Sequence, residues 1–83
     1  GDYKLQNRNS GKFLDLDNNN TDNKTAIVQY DDEYMDATQI WTLTEIGGEK
    51  GVYSICTSAN KRQGMDVADR SKSISTLLRI ANM

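Results

Sequence analysis

Tyr3-Lys4-Leu5-Gln6-Asn7-Arg8-Asn9-Ser10-Gly11-Lys12-Phe13-Leu14-Asp15-Leu16 opens the chain, and its spacing decides the fold class. Tyr3 and Leu5 flank one polar residue, and Leu14 and Leu16 flank another, which is the two-residue period of a half-buried strand. Between them Asn7 to Gly11 forms a turn cluster in which Gly11 can take a positive φ. The stretch predicts two short strands joined by a tight turn.

The same pattern continues outward. Ala26-Ile27-Val28-Gln29-Tyr30 and the run from Ile40 to Ile46 are rich in β-branched and aromatic residues. Val52 to Cys56, Met65 to Val67 and Thr76 to Ile80 complete a set of seven expected strands. An Asn/Asp-rich loop from Asp17 to Lys24 and the cluster Gly47-Gly48-Glu49-Lys50-Gly51 separate them. No segment holds an apolar stripe at helical spacing, and a single 3₁₀ turn between Asp31 and Thr38 is the most expected. The fold class is all-β.

The two halves repeat. Tyr3 to Leu5 matches Tyr53 to Ile55 at an offset of 50, and Leu14-Asp15-Leu16 matches Met65-Asp66-Val67 at 51. Ile27 to Tyr30 matches Leu77 to Ile80, again at 50. Repeats of this length with several strands each point to an internally symmetric β-fold. Repeat one spans about residues 3–46 and repeat two about 52–83, as one domain or part of one. Trp41 and Leu43 alternate with Thr42 and Thr44, so the indole is expected in the core beside Tyr3, Leu5, Leu14, Leu16 and Val28.

Composition excludes several function classes. The chain has 83 residues and a net charge of -2, and its lysines and arginines are scattered, which argues against a nucleic-acid partner. No apolar run approaches the ~20 residues of a membrane span. Cys56 stands alone, so no intramolecular disulfide forms, and it is expected to pack as a small buried apolar residue. There is no histidine, which removes the commonest general base and metal ligand. Asp15-x-Asp17-x-Asn19 begins like a calcium loop, but Asn20 stands where Gly is needed and Ala26 where Glu is needed. Asp31, Asp32 and Glu33 are contiguous and read as a solvated loop, not as a catalytic carboxyl pair across a cleft.

Three pieces in order carry a family resemblance: the opening Tyr-x-Leu through Ser-Gly-Lys-x-Leu-Asp-Leu, the Ala-x-Val-Gln stretch at Ala26 to Gln29, and Gln39-Ile40-Trp41. Together they resemble a ricin B-type lectin repeat with its closing Gln-x-Trp, similar to carbohydrate-binding module family 13. The resemblance implies a β-trefoil of three four-strand repeats, of which this chain supplies about seven of twelve strands. An incomplete trefoil is expected to need a longer chain or a homo-oligomer to close it.

What the resemblance implies for function is a secreted, non-catalytic lectin module without cofactor or metal. Its partner would be carbohydrate of galactose type or a plant polysaccharide; the alternative is a protein-interaction scaffold with degenerate sugar sites. The family's sugar contacts carry over to Asp15, Gln29 and Gln39, with Thr38 where Asn is usual, and to Asp66 in repeat two. The family's stacking ring falls on Asp31, so the loop residue Tyr34 is the expected platform, while Tyr30 is expected in the core with Val28. In repeat two, Arg79 takes the position of Gln29 and Ala81 that of the ring, and an Asp66–Arg79 bridge competes with a sugar site there.

Overall fold

A computed structural model describes residues 1–34, 36–60, 62–68, 72–73 and 78–82. Among them are seven strands: β1 (Asp2–Tyr3), β2 (Phe13–Leu16), β3 (Ile27–Tyr30), β4 (Trp41–Glu45), β5 (Tyr53–Thr57), β6 (Gln63–Val67) and β7 (Leu78–Asn82). Every expected strand is present, shifted by a few residues at its ends. Thr76 and Leu77, at the start of the last expected strand, lie outside the described residues.

Pairing is antiparallel throughout. One sheet runs β1-β4-β5-β6-β7, and β2 and β3 form a separate hairpin. Local chemistry sets the connections. Asn7 accepts the Gly11 N–H on its carbonyl and the Asn9 and Ser10 N–H groups on its side chain, while Gly11 takes φ 75° where a side chain would be strained. A 3₁₀ turn forms at Ala37–Gln39, at the end of the expected stretch and one residue beyond it, and the Asp36 carboxylate accepts the Thr38 N–H at its start. A second short turn at Asp17–Asn19 was not expected; Asn18 holds φ 52° there, a conformation Asn tolerates better than most residues.

The core is small. Leu16, Ile27, Trp41 and Ile80 are buried together, with Leu5, Leu14, Leu43, Ile55, Met65 and Leu78 packed around them. The Trp41 indole is enclosed and donates its N–H to the Leu14 carbonyl at 3.1 Å, so its one polar atom is satisfied. Cys56 is buried in β5 as expected. Tyr3 departs from expectation: it is 52% exposed, because β1 is an edge strand covered on one side only. Val28 also leaves the core layer, since it faces the side of the hairpin away from Ile27.

Register corrects the alignment of the two repeats. Asp15 stands opposite Val28 in the first hairpin, and Asp66 stands opposite Arg79 in the second. Arg79 therefore corresponds to Val28 and not to Gln29, and Ala81 corresponds to Tyr30. The offset is 51 across both hairpins. The two repeats are joined by the β4–β5 ladder, and again where the Lys24 N–H donates to the Ile80 carbonyl and the Ile80 N–H to the Thr25 carbonyl, both at 2.9 Å.

Candidate functional site

The β2–β3 hairpin has two faces, and the pleat assigns each residue to one. Opposed residues share a face, so Asp15, Val28, Phe13 and Tyr30 lie on one side, with Leu14, Gln29, Leu16 and Ile27 on the other. Above the first face, the turn at Asp17–Asn19 and the segment at Glu33 close in and form a groove of about 300 Å³. Asp15, Asp17, Asn18, Asn19, Tyr30 and Glu33 line it, over an apolar floor that includes Val28.

Asp15 sits at the base, 2% exposed. One carboxylate oxygen accepts the Leu16 N–H at 2.7 Å and the other accepts from Gln39 Nε2 at 3.2 Å. Gln39 is wholly buried; its Nε2 also donates to the Asp31 carbonyl at 2.7 Å, and its Oε1 accepts the Glu33 N–H at 3.0 Å. One amide thus pins the segment 31–33 against the hairpin and orients Asp15. Thr38 is buried behind the groove, with its hydroxyl between side-chain oxygens of Asn19 at 3.0 Å and Asp36 at 2.8 Å.

Electrostatics set Glu33 apart. It is half-buried, and its carboxyl is held above the ordinary carboxylate range, first by loss of water around it and then by the Asp15 carboxyl beside it. Asp36 adds to the rise and a hydrogen bond with Asn19 opposes it. The preceding acids are compensated, since Lys12 holds Asp31 at 2.9 Å and Lys4 pairs with Asp32 while lying over the Phe13 ring.

The expected site residues therefore separate. Asp15, Gln39 and Thr38 come together. Gln29 does not join them, because the pleat turns it to the opposite face, where it accepts from Ser10 Oγ at 2.8 Å. Tyr34 is 86% exposed and stands outside the groove, while Tyr30, 55% exposed and expected in the core, lines it. Asp31, where a ring was sought, is tied to Lys12. Asp66 lies in repeat two, with Arg79 Nε 3.6 Å away, beside an open depression of about 530 Å³ where β5 and β6 splay after their single pairing at Cys56 and Gly64. Sequence reasoning missed Tyr30, Asn18, Asn19 and Glu33. Counting two residues on from the partner of Asp15 would have found Tyr30; nothing local pointed to Glu33.

A family model described as ricin-type beta-trefoil lectin domain-like matches residues 1–80. Among solved structures, the designed three-fold symmetric protein ThreeFoil is similar at 29% identity and a TM-score of 0.88. The match covers 100% of this chain and 56% of that one, so this chain spans about half of its length. No curated protein matches the chain.

Proposed function

The chain belongs to the ricin-type β-trefoil lectin domain-like family, and from that premise we propose that it is a secreted, non-catalytic carbohydrate-binding module for galactose-type sugars or plant polysaccharide, with the groove on the β2–β3 hairpin as its site. The observation that carries the reading is the pairing, on one face, of a braced carboxylate with an aromatic ring.

A carboxylate has about four lone-pair positions, and Asp15 uses one on each oxygen internally, which leaves others to accept sugar hydroxyls. Because Leu16 and Gln39 hold it, little side-chain entropy is lost on binding. Tyr30 supplies an apolar face for the sugar ring, one position before the residue at which the family pattern places it. Gln39 acts through Asp15 and the 31–33 segment and touches no ligand itself. In repeat two the corresponding carboxylate, Asp66, has Arg79 beside it at 3.6 Å.

One observation favours a second reading: Asp15 is 2% exposed and its polar partners are engaged in structure, as in a trefoil scaffold whose sugar site is silent. Titration with galactose and with xylan oligomers, on wild type and on Asp15→Ala, separates the two. Millimolar or tighter binding that Asp15→Ala abolishes is expected. Failure to bind any sugar on a glycan array would favour the scaffold.

A further inference from the structure

Charge in the groove goes beyond the choice between sugar and no sugar. Among the described residues, Asp15, Asp17 and Glu33 bring carboxyl groups to its lining, and no lysine or arginine lines it. The acids just outside, Asp31 and Asp32, each have a lysine partner. Among the described residues, no lysine or arginine lies within ion-pair distance of Asp15, Asp17 or Glu33. The groove is thus a cavity rich in acceptors whose negative charge is left to be met by whatever enters it.

Resting on the carbohydrate reading above, we infer that the groove selects sugars by charge: it prefers hexosamines carrying a free ammonium to neutral hexoses and excludes uronic acids, with Glu33 as the residue that sets the preference. An ammonium has three donors and no acceptor, which complements carboxylates that only accept. A uronate carboxylate would meet like charge with no cation to offset it. Glu33 is placed for this role because the Gln39 amide holds its backbone N–H and fixes the wall it stands on. Asp15, by contrast, already spends one lone pair of each oxygen internally.

The size of the effect follows from its setting. A single solvent-facing charge contact is worth at most about fivefold, so contacts with two groove carboxyls give on the order of tenfold. The test is a two-dimensional NMR titration of the whole chain at pH 7 and low salt with galactosamine, galactose and galacturonic acid, repeated on Glu33→Gln. Galactosamine should bind about tenfold tighter than galactose, galacturonic acid weakest, and the spread should narrow in Glu33→Gln and with added salt. Spectra of Glu33→Gln that overlay wild type away from the groove establish that the variant is folded. Equal affinity for the three sugars, a preference for the uronate, or a spread unchanged by Glu33→Gln overturns the charge inference and leaves the carbohydrate reading standing. Binding of none of the three overturns the charge inference, and failure of xylan oligomers in the same titration overturns the carbohydrate reading with it.

Discussion

At the scale of single residues, the site is organised by one buried amide. Gln39 satisfies Asp15, the Asp31 carbonyl and the Glu33 N–H at once, so Gln39→Ala would leave three polar groups short of a partner. It should cost about 1–3 kcal/mol in chemical denaturation, and sugar affinity should fall although Gln39 touches no ligand. Tyr30→Ala should weaken sugar binding by up to about tenfold, the scale of a stacking contact, whereas Tyr34→Ala should leave a titration unchanged. Glu33 makes a prediction in pH. Its carboxyl holds a proton more readily in the folded than in the unfolded chain, so its ionisation opposes folding as pH rises above the ordinary glutamate range. Glu33→Gln should therefore melt above wild type at pH 7, with the gap closing as pH falls below that range. A gap of the same size at acid pH would contradict the assignment.

At the scale of elements, β4 and the β2–β3 hairpin contribute differently. β4 carries Trp41, which is enclosed by the core cluster and anchored to the Leu14 carbonyl. Trp41→Ala should cost about 3–5 kcal/mol through the cavity it leaves, a large part of the stability of a domain this small. The hairpin carries the groove, and its register decides which side chains face it. Gln29 follows Val28 in a motif that resembles the family's, and the motif alone assigns it to the site. The ladder sets Val28 opposite Asp15 and turns Gln29 away. A slip of one residue exchanges the two faces of a strand, and the same slip misaligned Arg79 and Ala81 in the second repeat.

At the scale of the whole molecule, Tyr3, Ile46, Val52, Tyr53 and Val67 remain exposed around the sheet, and β5 pairs with β6 at a single position. Apolar surface and strand edge left open in this way favour association. The chain by itself should sediment as a dimer or larger species at micromolar concentration; a compact monomer under those conditions would show that these side chains are covered within one copy.

The places of the seven strands, the tight turn at Gly11, the burial of Trp41 and Cys56 and the internal repeat were all determined by the amino-acid sequence alone. Each rests on local rules: alternation with period two, turn residues with tolerated φ, and the transfer of a large apolar side chain out of water. Only the tertiary structure decided which face of the β2–β3 hairpin forms the groove, that Tyr30 and not Tyr34 lines it, and that Glu33 stands beside Asp15. Those relations depend on cross-strand register and on the contact that Gln39 makes with Asp15 across 24 positions of sequence, which no local pattern encodes. The Leu-Asp-Leu strand marked Asp15, but what Asp15 faces was settled by residues far from it.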